Sequence, residues 1–376
     1  MGFALEQING QAILDEKLTG KGVKVGIIDG GFLKADKTES LAHLFEGEHI
    51  GGYKDYLEPE AEPFSGSAAF DDVHGTEVWE LIAGYSKERN VQYGLATEAT
   101  YFLARTDHGG YEKRTEEENA IAAMEWMAEE GVKIINLSLG YNFGYTRKSE
   151  NYTPEQMDGK STIVTQAVDR ISRKYGILFI VAAGNDGSNH WKIVGSPGDA
   201  KSALTVGATK LKVWDHMNYS SRGSTWLEYV KPEIASYASL GTSFSAPIIT
   251  GLAACLLQKQ PSMTGEELKA LLIKSCDLSH PNNYTGYGVP DAAKALALLE
   301  GTEPQKTIIH SDKKTVAIPL GDPSIYVAVY FKNDWRVIKK DIYRTNKTTF
   351  KLKRKKDAAH ATVIWEGGSV EVVWKN

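Results

Sequence analysis

Cysteine is scarce: Cys255 and Cys276 are the only two in 376 residues. They form neither a disulfide framework nor a metal-ligand spacing, so they do not reveal the redox compartment. Cys255 stands inside an apolar helical pattern and reads as a small buried hydrophobe. Runs of about eighteen apolar residues are missing, which excludes a membrane-spanning helix. The opening stretch, MGFALEQINGQAILDEK, lacks a basic flank followed by an apolar core, so no signal peptide is visible. No second histidine completes a zinc motif beside His74, and no loop has EF-hand spacing, so no metal site is assigned. A dinucleotide fingerprint is excluded by order: Gly20 and Gly22 precede the first apolar run instead of following it. Internal repeats and low-complexity segments are lacking as well.

What is present is ordinary in bulk and uneven in charge. Hydrophobic residues make up 42% and charged residues 24%, enough for a sizeable core and two domains. From Pro304 onward, 15 Lys and Arg face 7 Asp and Glu, a net of +8. The net charge of −5 then leaves −13 on the preceding residues. An acidic body and a basic tail point to two differently built units. The run KLKRKKD, Lys351 to Asp357, reads as a solvated strand end or turn, and no nucleic-acid partner is expected.

Five short apolar runs mark the first 210 residues: VKVGIID from Val23, TYFLART from Thr100, VKIINLSLG from Val132, ILFIVAAGN from Ile177 and ALTVGAT from Ala203. They are near-continuous, as strands covered on both faces are. Helical segments separate them. One follows His74. Another, TEEENAIAAMEWMAEEG, opens with a capping-box-like Thr115 and Glu118 and places Ile121, Met124 and Ala128 on one face. A third carries Val164, Ala167, Val168 and Ile171 and stops at Gly176. Strands alternating with helices predict a parallel sheet with right-handed crossovers. After Pro304 the pattern becomes short β-type runs with turn signals, and Gly367-Gly368 reads as a hairpin turn.

In an open parallel sheet, ligands bind beyond the carboxyl ends of the strands. Polar and glycine residues gather there: Asp29 before Gly30-Gly31, Ser138 before Leu139 and Gly140, and Asn185 after Ala183 and Gly184. Each has a plain alternative. Asp29 and Asn185 can be turn residues. His74 stands at the start of a predicted helix, where the dipole favours a neutral imidazole, the form a general base requires; a lone histidine is more often structural. Ser243, in SLGTSFSAPIITGLAACLL, can simply cap a buried helix whose first turn holds Pro247, or it can sit where backbone N–H groups favour developing negative charge.

Taken together and in order, these pieces resemble the subtilisin-like serine proteases (subtilases), over about Gly20 to Ala297. GKGVKVGIIDGGF resembles the family's aspartate segment, HGTEV its histidine segment, INLSLG the strand lining the substrate cleft, VAAGNDG the oxyanion-hole segment and GTSFSAPIITG the nucleophile motif. The chain order Asp, His, Ser is the one that marks the family. Departures are Gly30 for the usual Thr or Ser, Glu77 for a frequent second His, Trp79–Glu80 for a small pair, Leu240 before Gly241, and Phe244 for Met. Trp79 and Phe244 put the pocket shape in question. A catalytically silent binding protein of the same fold is the alternative those departures raise.

The resemblance implies an α/β, three-layer subtilisin-like fold with a mainly parallel central sheet in residues 1–303, after a short lead-in over 1–20. A small antiparallel, β-sandwich-like module is expected in 304–376. It implies a serine endopeptidase with Asp29, His74 and Ser243 as catalytic groups and with Asn185 and the Ser243 N–H as the oxyanion hole. Ser138, Leu139, Gly140, Ala183 and Gly184 are expected along the substrate, with pockets shaped by Tyr141, Phe143 and Tyr145 or with those rings packed on the body. No cofactor is implied for catalysis, although a structural calcium is permitted. Protein or peptide substrates, a monomeric state and an extracytoplasmic location follow from family habit.

Overall fold

The computed structural model describes residues 1–65, 70–108, 112–211, 215–302, 307–320, 326–333, 336–365 and 368–375, with the side chains of 70, 71, 326, 327 and 333 left aside. Its centre is a seven-stranded sheet. The strands are β1 (Lys24–Asp29), β2 (Ile50–Asp55), β3 (Thr100–Arg105), β4 (Ile134–Leu137), β5 (Leu178–Ala182), β6 (Leu204–Thr209) and β7 (Ile234–Tyr237). They lie in the order β2-β3-β1-β4-β5-β6-β7, and every pairing is parallel. All five apolar runs become strands of this sheet, each trimmed at one end or both. The two unannounced strands have weak signals: β2 is a half-exposed edge containing Gly51-Gly52, and β7 is only four residues long.

Helices cover both faces. Along β1, Val25 and Ile27 point to one face, where they pack with Val78 and Ile82 of α1 (Phe70–Ala83) and with Leu252 and Leu256 of α4 (Ala246–Lys259). The intervening Ile28 points to the other face. It packs with Met124 and Met127 of α2 (Arg114–Glu129) and Val164 and Val168 of α3 (Ile163–Tyr175). This gives three layers, and each fully buried aliphatic side chain contributes roughly 1.5–3 kcal/mol relative to exposure. α3 ends at Gly176 in the left-handed conformation, as its sequence predicts.

The predicted start of α2 is shifted. The helix is capped at Lys113 by the Glu116 carboxylate, not at Thr115 by Glu118. The Glu116 carboxylate turns back and accepts the N–H groups of Lys113 and His108, each at 2.9 Å, so the loop before the helix fixes where it starts.

The C-terminal module has strands β8 (Ile308–Ser311), β9 (Thr315–Pro319), β10 (Tyr326–Asn333), β11 (Arg336–Arg344), β12 (Thr349–Lys353), β13 (His360–Trp365) and β14 (Gly368–Trp374). Five of them form a sheet in the order β8-β14-β13-β10-β11, and the ribbon β9-β12 packs on it through Val316, Ile318 and Leu352 against Phe331, Val363 and Val372. The pairs are antiparallel except β8–β14, which is parallel, because the incoming chain runs beside the last strand in the same direction. Trp365 pairs with Gly368 in the expected hairpin; Gly367 and the boundary at 303–304 lie outside the described residues.

Candidate active site

Strand order reverses around β1: β3 and β2 lie on one side of it and β4 to β7 on the other. Such a switch point opens a crevice at the carboxyl ends of the two diverging strands. Asp29 is the last residue of β1, Ser138 follows β4, and Gly184-Asn185 follows β5.

Asp29 is fully buried. Its Oδ1 accepts the N–H of Gly30 at 2.8 Å and lies 2.6 Å from His74 Nδ1. A carboxylate oxygen can only accept, so Nδ1 carries a proton, and in the neutral ring the lone pair is on Nε2. His74 keeps 13% of its side chain exposed, so the ring is held inside but reachable. Two glycines permit this approach of helix to strand. A Cβ on Gly75 would lie 2.4 Å from the Gly31 carbonyl oxygen, and one on Gly31 would lie 2.6 Å from Asp72 Cα.

The sequence placed His74 at a helix start; the structure does not. α1 begins at Phe70, so His74 lies in its second turn, where the dipole has largely faded. The buried carboxylate, not the helix end, orients the imidazole.

Ser243 occupies a single 3₁₀ turn, Thr242–Phe244, just before α4. Ser245 holds the N-cap position of α4, with Pro247 in the first turn. The serine is locked to β4 by reciprocal bonds. Its hydroxyl donates to the Ser138 carbonyl at 3.2 Å, and the Ser138 hydroxyl donates to the Ser243 carbonyl at 3.0 Å. Beneath them, Thr250 of α4 donates to Asn136 Oδ1, and Asn136 Nδ2 donates to Ser138 Oγ. The Phe244 ring meets the His74 ring at 5.5 Å between centroids, which brings the histidine helix to the serine turn.

Asn185 is exposed, and its amide orientation is fixed. Oδ1 accepts the Thr242 N–H at 2.9 Å and the Thr242 hydroxyl at 3.1 Å, so the NH₂ group faces away from that turn. Gly184 supplies the φ of +97° that turns the chain out of β5, and its N–H bonds Thr242 Oγ1 at 2.9 Å. Thr242 thus ties the asparagine loop to the serine turn, a role its sequence context did not announce.

Two pocket expectations change. Trp79 is fully buried against Phe45 and Tyr101, so its bulk belongs to the core rather than to a pocket. Tyr141 and Tyr145 also pack on the body, and Tyr145 donates to the buried Glu117 at 2.6 Å. Phe143 is partly buried beside Trp191. Phe244, in contrast, lines a cavity of about 580 Å³ together with Leu81, Tyr93, Ile248, Glu77 and Glu80. Burial pushes the Glu80 carboxyl up, and a hydrogen bond from Ser40 opposes that.

Sequence reading also missed Arg105, at the end of β3. Its guanidinium bonds the Gly30 carbonyl at 3.1 Å, Asp55 at 3.0 Å and Asp72 of α1 at 2.9 Å, clamping the Asp29 turn to the histidine helix. Burial disfavours its charge, but the Asp55 and Asp72 carboxylates outweigh that and raise its pKa. Among the described residues, no group of three or more His, Cys, Asp or Glu could hold a metal ion.

The chain matches the Subtilase family (Peptidase S8) over residues 20–288. It is similar to a subtilisin of Bacillus pumilus, 27% identical over 297 residues that cover 76% of this chain and 95% of that protein. Serine protease AprX of Bacillus subtilis (strain 168) is 27% identical over 330 residues, 75% of this chain and 67% of that one. In fold it resembles the CspB protease of Clostridium perfringens, with a TM-score of 0.66 at 14% identity, covering 80% of this chain and 99% of that chain. No described helix is long and apolar enough to cross a membrane. With a family match across most of its length, a subtilisin-like three-layer fold and subtilisins among its relatives, the chain belongs to the subtilase family of serine-type endopeptidases, with protein or peptide substrates.

Proposed function

We propose that the chain hydrolyses peptide bonds through an acyl-enzyme formed on Ser243. The observation that carries this reading is the 2.6 Å contact of the fully buried Asp29 with His74, one ring contact away from the serine turn. Ser243 is a weak nucleophile until a base takes its proton. In the resting state its hydroxyl donates to the Ser138 carbonyl; rotation about Cα–Cβ turns it to His74 Nε2, a tightening that is normal on substrate binding.

Ser243 Oγ attacks the scissile carbonyl carbon while His74 takes the hydroxyl proton. Asp29 holds the imidazole tautomer and stabilises the imidazolium without taking the proton. The carbonyl oxygen becomes an oxyanion, held by Asn185 Nδ2 and the Ser243 N–H. The C–N bond breaks, and His74 gives its proton to the leaving amine. Water, deprotonated by His74, then attacks the ester, releases the carboxylate and restores the serine.

On this reading the acyl side of the peptide lies extended between Ser138–Gly140 and Ala183–Gly184, and the leaving side passes Phe244. Residues 1–303 form the catalytic domain and 304–376 the appended module. No step is routed through a metal. We place the protein as a monomer outside the cytoplasm, on family habit. Fluorophosphonate labelling followed by peptide mapping tests the reading: the label is expected on Ser243, and a label on another residue, or none, contradicts it.

A further inference from the structure

The β module meets the catalytic body at a charged, partly buried contact. Tyr330 of β10 donates to Asp215 Oδ1 at 3.2 Å, and Lys340 of β11 reaches Asp215 Oδ1 at 2.6 Å and His216 Nδ1 at 2.8 Å. Asp215 is almost fully buried, and the His216 ring lies against Tyr284. Asp215 and His216 open the segment that links β6 to β7, and the next residues go straight to the proposed oxyanion site. Tyr219 accepts the Gly187 N–H on its carbonyl at 2.7 Å and donates its hydroxyl to the Ala238 carbonyl at 2.6 Å, on the approach to Ser243. Ser221 donates its N–H to the Gly184 carbonyl at 2.9 Å and accepts the Asp186 N–H on Oγ at 3.0 Å. Six residues of chain thus join the Lys340 contact to the two residues that flank Asn185.

We infer that the C-terminal module is a positioning device for the oxyanion hole, acting from Lys340 and Tyr330 through residues 215–221 on the Gly184–Gly187 turn. The inference rests on the hydrolytic reading above, in which Asn185 Nδ2 meets the oxyanion. The physical reason is economy of motion. An oxyanion donor helps only if it is held in place before charge develops. Asn185 sits on an exposed turn, and that turn is bonded on one side to Thr242 and on the other to 219–221. The first anchor belongs to the catalytic body. The second is bonded to β6, where Met217 donates its N–H to the Ala208 carbonyl at 2.8 Å and Ser220 Oγ accepts the Ala208 N–H at 3.0 Å, and at its far end it is held also by Lys340 of the module, so the module acts together with β6 on the position of one donor without touching substrate. Lys340 and Tyr330 are positioning residues in this account.

A double-mutant cycle between Lys340→Met and Asn185→Ala in the full-length protein tests it, with kcat and KM measured for each variant. Deleting an oxyanion donor outright costs about 100- to 1,000-fold, a range set by subtilisin. Loosening one is expected to cost about tenfold in kcat, with KM nearly unchanged. In the Asn185→Ala background the same lysine substitution is expected to cost less than about twofold, because the donor it positions is gone. Lys340→Arg should restore most of the rate. Tyr330→Phe, which removes only a hydroxyl, should act in the same direction at about two- to fivefold and serves if Lys340→Met folds poorly. Ser369→Ala removes a different contact of the module, the 2.6 Å bond to the Asp277 carbonyl, and should lower thermal stability without lowering kcat. An unchanged kcat in Lys340→Met and Tyr330→Phe overturns the inference. So does an equal fold-loss in both backgrounds, which would mean that the module acts on something other than Asn185. Failure of Ser243 to react with a fluorophosphonate in the wild type overturns the hydrolytic reading instead.

Discussion

Strand β4 of the body is buried at all four positions, and β5 and β6 are buried throughout, whereas β9 of the module alternates strictly between exposed and buried. The body's strands are covered by helices on both faces, so their polar groups have few places to be except the carboxyl ends, where they converge. The module's ribbon has one covered face, and its sheet is covered by that ribbon on one side and, at Ala328, Tyr330 and Ile364, by Leu278 of the body on the other. The module's charge serves attachment. Lys340 meets Asp215, Arg336 donates to the Thr225 carbonyl, and Tyr330 packs with Leu278 of the body. The candidate site lies at the carboxyl ends of the body's parallel strands, and the module is bonded to the body at a few specific points.

That contrast sets a dissociation between turnover and stability. The largest effect belongs to Asp29→Asn, which is expected to lower kcat by about 10⁴, a magnitude taken from the equivalent change in other serine proteases. Its melting temperature should barely move, because one Asp29 oxygen has no hydrogen-bond partner among the described residues. Asn185→Ala should lower kcat about 100- to 1,000-fold, the subtilisin range, again with little change in melting. Asp215→Asn should show the opposite balance. Removing the carboxylate from its Lys340 and Lys210 contacts should cost about 1.5–3 kcal/mol of stability, read as a few degrees by calorimetry. Any accompanying loss of turnover should stay far below that of Asp29→Asn.

The smallest effect is a pH dependence of that last comparison. Burial alone would raise the Asp215 carboxyl, but the His216 ring beside it, the hydrogen bond from Lys340 and the Lys340 charge hold it far below the usual carboxylate range. A group with a depressed folded pKa contributes stability that is complete above its unfolded value, near 4, and is lost as pH falls through the folded value. The gap in melting temperature between wild type and Asp215→Asn should therefore be constant from about pH 5 to 7 and narrow below about pH 4. A gap that widens on acidification would contradict the assigned contacts.

Much of the body was legible because parallel strands covered on both sides leave near-continuous apolar runs, and the functional groups stand at their ends. Asp29, Ser138 and Asn185 could be found that way, and Ser243 by its place before the apolar helix α4. β2 and β7 could not, being a glycine-containing edge and a four-residue strand. Arg105, Thr242 and the Asn136–Thr250 pair were also out of reach. Their roles depend on partners 33 to 114 residues away, and such pairing leaves no local pattern. The helix start lies at Phe70, four residues ahead of the His74 start that the sequence pattern predicts. In the module, alternation gave the strands, while the parallel β8–β14 pair is a property of the assembled sheet and not of either strand.

The account stands on Ser243 reacting because His74, held by Asp29, takes its proton. The rate of fluorophosphonate labelling across pH, in wild type, Ser243→Ala and His74→Ala, tests this most directly. The account predicts a single labelled site in the wild type, no label in Ser243→Ala, and a rate in His74→Ala reduced by orders of magnitude with the protein still folded. Equal labelling rates in wild type and His74→Ala would contradict it.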